Sequence, residues 1–420
     1  MKKLTAVVAG YGARGAAYSA YAIDHPDQLE ITAVAEIHPG RLQTAKERHA
    51  LPDDRLFTTW EDLAAQPKMA DFAIIGTQDN MHFAPAMALI EKGYHLLLEK
   101  PMAPTPEECR LITEAAERKG VHVMVCHVLR FTRFWGAIKQ ILDSGRLGKV
   151  MSIVHMENVG HLHQSHSFVR GHWRNSKESN CMILAKCCHD MDLLQWLAGQ
   201  PCSRVQSFGS LSHFTKENQP QGAPDRCTDG CPVADQCHYN AIKLYYDDKE
   251  NLWFRGAATH SLGRPTDEEV MQALQTGPYG RCVYACDNDV VDHQVVNLEF
   301  ADGCTASFTM NAFNHGGRFI RIFGTEGELV SGRDQNQLEL FSFATRQWET
   351  IDLAQFGNDV TSGHGGGDTG IVEGILALLR GEDPGVSVCS VRTSYENHLI
   401  AFAAERSRVD GCVLQPEDVL

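Results

Sequence analysis

The sequence predicts an N-terminal α/β domain built on a parallel sheet, followed by an α+β domain with an open, mainly antiparallel sheet. Two observations support this prediction. Short apolar runs alternate with helical patterns through the first third of the chain, which is typical of parallel strands joined by crossover helices. Longer runs of alternating apolar and polar residues follow between residues 149 and 324, as expected for antiparallel strands with one covered face. We therefore divide the 420 residues into domains at 1–126 and 127–420.

The predicted elements follow in chain order. The first domain contains strands at 5–10, 30–35, 71–77, 95–99 and 121–126, with helices at 13–23, 81–92 and 106–119. The second contains helices at 132–144 and 183–197, strands at 149–159, 294–300, 305–311 and 319–324, and a C-terminal helix at 391–408. Residues 209–286 are poorly periodic and rich in Cys, Pro and Asp. We interpret this stretch as an insertion that lacks a core of its own.

Composition limits the possible partners and the compartment. The net charge of -15 argues against nucleic acid and anionic membrane as partners, because both favour a basic surface. No apolar run approaches the roughly 20 residues of a membrane span, and the start MKKLTAVVAG is interpreted as a first strand rather than a signal peptide. Fourteen cysteines spread through a long chain favour reduced thiols and a cytoplasmic location.

A glycine-rich turn comes directly after the first strand. It reads Gly10-Tyr11-Gly12-Ala13-Arg14-Gly15, the pattern G-x-G-x-x-G. The first glycine permits the tight turn, the second lets a pyrophosphate approach the backbone, and the third lets the helix pack on the strand. The helix that follows points unsatisfied N–H groups at the phosphates. The N-terminal domain is therefore predicted to be a Rossmann domain that binds a dinucleotide.

The second predicted strand ends at Glu36, where a carboxylate usually meets the adenosine ribose hydroxyls. A carboxylate there would repel a 2′-phosphate, so the sequence favours NAD over NADP. Arg41 lies close behind it, which leaves NADP open. The candidates for cofactor contact in this region are Gly10, Tyr11, Gly12, Ala13, Arg14, Gly15, Glu36 and Arg41.

Three motifs together resemble the glucose–fructose oxidoreductase and inositol dehydrogenase family (Gfo/Idh/MocA). They are the turn GYGARG, the sequence Glu99-Lys100-Pro101 at a strand end, and His189-x-x-Asp192 on a later helix. The resemblance implies a Rossmann domain followed by an open antiparallel sheet, whose outer face commonly forms the interface of a homodimer or homotetramer. It also implies oxidation or reduction of sugars and cyclitols with NAD(P). A minority of the family uses the cofactor transiently to cleave glycosidic bonds.

The same resemblance indicates the residues that handle the proton. Lys100 follows a parallel strand, at the edge where open α/β sheets place their ligands, and is predicted to be catalytic. His189 is the predicted proton acceptor, with Asp192 one turn further along. The family usually carries an Asp one turn before this histidine, but here that position is Ala185. This difference weakens the case for an ordinary inositol-type dehydrogenase.

Further candidates surround these two residues. Glu99 is expected to orient the ribose or Lys100, while Thr77 and Asn80 resemble the family's loop beneath the nicotinamide ribose. His82 is either a cofactor contact in that loop or a residue at the start of a helix. The stretch 158–175 crowds histidine, arginine and tryptophan into one loop, which suits a polar carbohydrate or a uronic-type acid. The candidates for substrate contact are Arg130, His166, Arg170, Trp173, Asp192 and His364.

Cysteines are concentrated within the insertion. Cys227, Cys231 and Cys237 lie in a short segment and could close around a structural zinc ion, which takes four sulfur or nitrogen ligands. The fourth ligand would be Cys282, His238 or Cys286. The spacing is not that of a common zinc finger, so three reduced thiols and an iron–sulfur cluster stay open as alternatives.

These observations predict an NAD-dependent oxidoreductase acting on a secondary hydroxyl of a sugar, sugar acid or cyclitol. The first alternative is an NAD-dependent glycoside hydrolase, in which transient oxidation at C3 allows elimination of the aglycone. Two features keep this alternative open. The usual Asp is absent, and the histidine-rich loop is a source of extra acid and base. The second alternative is a non-catalytic, redox-sensing protein that binds NAD, but the presence of both Lys100 and His189 argues against it.

Overall fold

The computed structural model describes residues 2–332, 335, 337–356 and 363–420. Its first sheet has six parallel strands in the order β3-β2-β1-β4-β5-β6. The order reverses between β1 and β4, and open α/β sheets bind their ligands at such a point. The strands are β1 Leu4–Ala9, β2 Leu29–Ala35, β3 Leu56–Phe57, β4 Phe72–Ile75, β5 His95–Leu98 and β6 Val123–Val125. The helices are α1 Ala13–Asp24, α2 Pro39–His49, α3 Trp60–Ala65, α4 Phe83–Glu91 and α5 Pro106–Lys119.

The second sheet has eight strands in the order β14-β13-β12-β11-β7-β10-β9-β8, and it is open. The pair β7 and β10 is parallel, and the other pairs are antiparallel. The Rossmann domain and the mainly antiparallel sheet are thus confirmed. The strands are β7 Val150–Asn158, β8 Cys202–Ser210, β9 His293–Phe300, β10 Thr305–Asn311, β11 Gly317–Gly324, β12 Gly327–Ser331, β13 Leu338–Ser342 and β14 Gln347–Ile351.

The remaining helices cover one face of this sheet, connect the two domains or belong to the insertion. They are α6 Arg133–Asp143, α7 His161–His163, α8 Met182–Ala185, α9 Cys188–Ala198, α10 Leu252–Thr259, α11 Asp267–Thr276, α12 Gly367–Arg380 and α13 Val391–Asp410. Helix α12 packs in the same core cluster as α1 of the Rossmann domain. Helix α13 contributes Tyr395 and Leu399 to the Rossmann core and Ile400 to the core beneath the second sheet. The C-terminal part of the chain therefore fixes the two domains together.

The single helix predicted at 183–197 is wrong in one respect. The structure has two helices, α8 and α9, which are interrupted at Lys186 and Cys187. The N–H groups of both interrupting residues point back to the carbonyl of Met182, so the regular ladder stops there. Such an interruption leaves the carbonyl of Ala185 available to a side chain.

The insertion differs from its prediction. It lies between the neighbouring strands β8 and β9 and contains the helices α10 and α11. Tyr245, Phe254, Val270 and Leu274 are buried together in a small apolar cluster, and a second cluster forms around Phe214 and Tyr239. The expectation that this segment lacks a core was therefore wrong. Its apolar residues come from three separate stretches, so no sequence period shows them.

The outer face of the second sheet is exposed and partly apolar. Val154, Phe208, Val295 and Trp348 are each more than a third exposed there. A homodimer or homotetramer through this face stays a prediction, as does the cytoplasmic location. Among the described residues, no helix combines the length and the apolar character needed to cross a membrane.

Candidate active site

The glycine-rich turn has the geometry that its sequence predicts. Gly10 has a φ of +88°, and a Cβ there would lie 2.8 Å from the backbone of Gly76 on the neighbouring strand end. A Cβ on Gly15 would lie 2.0 Å from the carbonyl oxygen of Gly10, so only glycine lets the helix pack this closely. A Cβ on Gly12 would meet only Arg41 Nη1, at 3.8 Å. The approach to Gly12 is thus open, in front of the N-terminus of α1, where a pyrophosphate binds.

Glu36 lies beside this turn with its carboxylate fixed by the backbone. Its two oxygens accept hydrogen bonds from the N–H groups of Tyr11, at 2.7 Å, and His38, at 2.9 Å. Its side chain is buried at the end of β2. Arg41 does not pair with it but donates from Nε to the carbonyl of His260 in the insertion, at 3.3 Å.

The side chain of Arg14, a candidate for cofactor contact, forms ion pairs within the protein. Its guanidinium forms ion pairs with Glu99, at 2.8 Å, and Asp368, at 2.6 Å. It therefore connects the glycine turn to the end of β5 and to α12, and its backbone stays available to the phosphates. Burial raises the pKa of Asp368, but hydrogen bonds from His364 and Arg14 outweigh it and hold that pKa well below its usual value. His364, predicted to contact substrate, lies 2.9 Å from this carboxylate.

The loop after β4 carries Thr77, Asn80 and His82. Thr77 Oγ1 donates to the carbonyl of Met81, and Asn80 Nδ2 donates to the carbonyl of Glu178. The ring of His82 is wholly buried, with nitrogens 2.7 Å from Pro101 O and 3.1 Å from Thr77 O. Of the two alternatives predicted for His82, the structure has the residue at the start of a helix, since His82 directly precedes α4 and its ring joins this loop to the turn after Lys100.

Lys100 and His189 come together at the carboxyl end of β5. The backbone N–H of Lys100 donates to Glu99, and its Nζ donates to the carbonyl of Ala185, at 2.8 Å. The interruption between α8 and α9 leaves this carbonyl available. The carbonyl thus replaces the usual Asp side chain as the group that holds Lys100. The Lys100 ammonium also lies 5.6 Å from the centre of the Trp173 ring.

His189 is 7% exposed, and its Nδ1 is buried without a hydrogen-bond partner among the described residues. Burial, together with the positive charge of Lys100, lowers the pKa of His189 well below 6.5. The imidazole is therefore neutral at pH 7 and able to accept a proton. Both predicted catalytic residues thus lie at one edge of the Rossmann sheet.

Asp192 and Arg130 do not contact a substrate as predicted. Their side chains are 1% and 3% exposed, and they form a bidentate ion pair at 2.8 and 2.6 Å. Asn397 donates to the same carboxylate. This pair is a buried link between α9 and the end of the Rossmann sheet, and the charges neutralise each other there.

His127 is a residue that the sequence reasoning missed. It is buried between Asp192, 3.7 Å from its Nδ1, and His189, whose ring centre lies 6.4 Å away. Cys389 completes a group whose ligand-type atoms lie within 4.8 Å of one another. A cation is disfavoured there because Asp192 is already neutralised by Arg130. The position of His127 directly after a predicted strand was the available signal.

The loop at 158–175 is only partly what was predicted. Trp173 does face the site, with its Nε1 donating to Asp79 at 2.9 Å. His166 is buried against Phe254 and bonded to Tyr245 of the insertion, and Arg170 is fully buried. The substrate contacts predicted for His166 and Arg170 are therefore wrong, because their polar atoms point into the insertion.

Other basic residues lie around Lys100 and His189 instead, in the region that we call the pocket. Burial and the charge of Lys186 lower the pKa of His163 to about 2, and its ring lies 4.9 Å from Trp253 of the insertion. Lys186 lies 3.4 Å from Glu157, which also pairs with Arg318 at 2.7 Å. Glu157 lies at an inward-facing position of β7, where the alternation predicts an apolar residue. A charged residue at such a position was the sequence signal for this cluster, and it was overlooked.

Several buried histidines, including His127, His166 and His398, make stability depend on pH. Burial lowers the pKa of His127 to about 4, and that of His166 and His398 to about 3. Below pH 6.5 the unfolded chain binds protons that the native state refuses, so the free energy of unfolding falls as pH falls. The loss is up to about 1.4 kcal/mol per histidine per pH unit between pH 6.5 and 4. Urea unfolding at pH 7.5, 6.5 and 5.5 measures it, and a constant midpoint would contradict this explanation.

The fold and the site define a class: a two-domain oxidoreductase with a nicotinamide cofactor. Family comparisons agree. Residues 4–127 match the family described as "Oxidoreductase family, NAD-binding Rossmann fold", and residues 139–397 match its C-terminal alpha/beta domain. The chain belongs to the Gfo/Idh/MocA family.

The relatives are distant in sequence. The putative oxidoreductase YteT of Bacillus subtilis is 23% identical over 375 residues, which are 84% of this chain and 83% of that protein. Inositol 2-dehydrogenase of Salmonella typhimurium is 24% identical over 49% of this chain and 57% of its own length. The WlbA dehydrogenase of Bordetella pertussis, solved with NADH and UDP-GlcNAcA, superposes with a TM-score of 0.69 at 18% identity, covering 99% of this chain and 98% of that one.

Proposed function

We propose that this protein is an NAD-dependent dehydrogenase that oxidises a secondary hydroxyl of a sugar, sugar acid or cyclitol. The single observation that carries the proposal is the position of Lys100, held by the carbonyl of Ala185, near a buried, neutral His189 at the carboxyl edge of the Rossmann sheet. Such a pair can bind a hydroxyl and remove its proton. When bound, the nicotinamide supplies the acceptor for the hydride.

Lys100 binds and polarises the reacting oxygen. One of its three N–H groups is committed to the carbonyl of Ala185, and the other two are left for a substrate oxygen. As the hydroxyl loses its proton, the negative charge that develops on the oxygen is stabilised by the fixed ammonium. Glu99 keeps the lysine at the strand end by accepting its backbone N–H.

His189 receives the proton. Its neutral state matters because a protonated imidazole beside Lys100 would be repelled and could not act as a base. No carboxylate stands at position 185 to stabilise the charged ring. The proton therefore has to leave His189 readily, through the pocket.

The charges of the pocket favour an acidic substrate within this class. Lys100 and Lys186 both act electrostatically on the ring of His163. Glu157 and Asp190 balance the charges of Lys186 and Arg318, whereas no carboxylate of the described residues forms an ion pair with the ammonium of Lys100. A sugar acid would bring a negative charge to the Lys100 ammonium, and the ring of Trp173 beside it offers a face for the sugar.

A screen tests the proposed activity. The full-length protein is mixed with NAD and a panel of hexoses, hexuronic acids and cyclitols, and the NADH absorbance is followed. We expect steady turnover with at least one compound, fastest for an acid, with NADH exchanging freely. Absence of turnover with all three classes, and of any retained cofactor, would contradict the proposal.

One observation supports the alternative function, an NAD-dependent glycoside hydrolase. His163 provides a second neutral base in the pocket, and abstraction of the C2 proton after oxidation at C3 needs such a base. In that case the purified protein retains its cofactor through many turnovers, and aryl glycosides are cleaved without net NADH. Cofactor that exchanges in each turnover excludes this alternative.

We expect NAD to bind more tightly than NADP by at least about tenfold, since like charges brought together cost about 1.4 kcal/mol or more. Glu36 is fixed by two backbone N–H groups and cannot easily turn away from a 2′-phosphate. Fluorescence titration of both cofactors measures the ratio. Glu36→Ser should lower the ratio of NAD affinity to NADP affinity, whereas Glu47→Ser on the exposed side of α2 should leave it unchanged. Tighter binding of NADP to the unmodified protein would overturn this role of Glu36.

A further inference from the structure

We propose that the thiolates of Cys227, Cys231, Cys237 and Cys282 hold a structural metal centre inside the insertion. The four residues line one cavity. The rest of its wall is mainly apolar and includes Pro220, Pro224 and Val233. The site lies outside the catalytic pocket and is independent of the proposed function.

The backbone brings two of these cysteines together across a long sequence separation. Arg226 and Arg281 form an isolated antiparallel bridge. The N–H of Cys227 donates to Gly280 O at 2.9 Å, and the N–H of Cys282 donates to Asp225 O at 2.8 Å. Cys282 is therefore the fourth cysteine of the cavity. Cys286, the other thiol considered from the sequence, is not among the lining residues.

The surroundings of Arg170 indicate that the cavity holds a negative charge. Its side chain is fully buried and lines the same cavity. Its Nε and Nη2 donate to backbone carbonyls at 2.7 and 2.6 Å, and Nη2 also lies 3.8 Å from Cys227 Sγ. Its Nη1 is buried with no hydrogen-bond partner among the described residues.

A buried guanidinium is unfavourable without a counter-charge. Among the described residues, no carboxylate forms an ion pair with Arg170, and the thiol of Cys227 lies 3.8 Å from its Nη2. Four thiolates around a divalent metal carry a net charge of about -2, which would neutralise this cation. Neutral thiols would leave it uncompensated.

The spacing of the sulfur atoms admits two metal chemistries. Among the described residues, no three of these four sulfurs lie within 4.8 Å of one another. A zinc ion holds its sulfurs about 3.8 Å apart, given Zn–S bonds of about 2.3 Å, so the side chains would turn inward around it. An iron–sulfur cluster places irons and sulfides between the thiolates and suits a wider spacing. The shared chemistry is ligation by four thiolates.

The centre would fix the pocket through Arg170. This arginine lies in the same loop as Trp173, whose ring faces Lys100. The preceding part of the loop carries His163, in contact with Trp253 of the insertion. Ligation of the cysteines therefore fastens the insertion and the loop that shapes the substrate site.

Metal analysis of the full-length protein, purified anaerobically without chelator, tests the proposal. We expect about one zinc per chain without visible absorbance, or iron with acid-labile sulfide and a visible band. Either result supports ligation by four thiolates and distinguishes its two forms. The absence of stoichiometric zinc and iron would overturn the proposal.

Variants identify the ligands. Cys231→Ser and Cys237→Ser should lose most of the metal and melt at a lower temperature, because metal binding is coupled to folding. Cys412→Ser, a free thiol outside the cavity, is the matched control and should keep its metal. If the serine variants do not fold, titrating the unmodified protein with a mercurial gives the answer. Release of the metal as four thiols react with the mercurial supports the site. Metal that is retained after these thiols have reacted contradicts it.

Discussion

Replacing Lys100 with methionine is expected to lower kcat/KM by about 10²–10⁴-fold, the range for groups that act on the reacting proton. Methionine keeps the length of the side chain and removes the ammonium that binds the substrate oxygen. The hydrogen bond to Ala185 O disappears with it. Cofactor affinity should change little, because the glycine turn and Glu36 are left intact. Turnover of the substrate found in the screen, with NADH binding followed by fluorescence, measures both effects.

The matched control is Lys92→Met, an exposed lysine directly after α4 whose Nζ donates to the carbonyl of Gln66. It should retain the activity of the unmodified protein. Activity of Lys100→Met within about threefold of that level would remove Lys100 from the proton pathway, since even a weak acid–base group contributes more. A variant that also loses NADH binding would show a wider structural role for the strand end.

Replacing His189 with glutamine should also lower kcat by about 10²–10⁴-fold, because the amide keeps much of the size of the ring but accepts no proton at neutral pH. The pKa of His189 is lowered by burial and by Lys100. In the unmodified protein the acidic limb of kcat/KM set by this residue should therefore lie well below pH 6.5. The glutamine variant should lose that limb, and added imidazole should restore part of the rate.

His122→Gln is the control, because His122 is exposed and its ring stacks on that of His95. It should not alter the pH profile. An acidic limb centred at or above pH 6.5 in the unmodified protein would show that another group accepts the proton. Unchanged kcat in His189→Gln would have the same meaning.

The sequence determined the Rossmann domain and its cofactor loop because those features are local. The backbone geometry of a single turn requires Gly10, Gly12 and Gly15, and Glu36 follows that turn at a fixed distance along the chain. The alternation of residues in the strands predicted the second sheet for the same reason. Lys100 and His189 were found through motifs that are short and contiguous.

Tertiary structure decided what depends on partners distant in the chain. Arg14, Arg130 and Asp192 look like ligand-binding residues, but each is neutralised by a charge brought from another element. Arg170 turns away from the pocket toward the cysteines of the insertion. Composition shows that a charge exists, and only the packing shows whether a protein group or a ligand balances it, because burial makes an unbalanced charge costly.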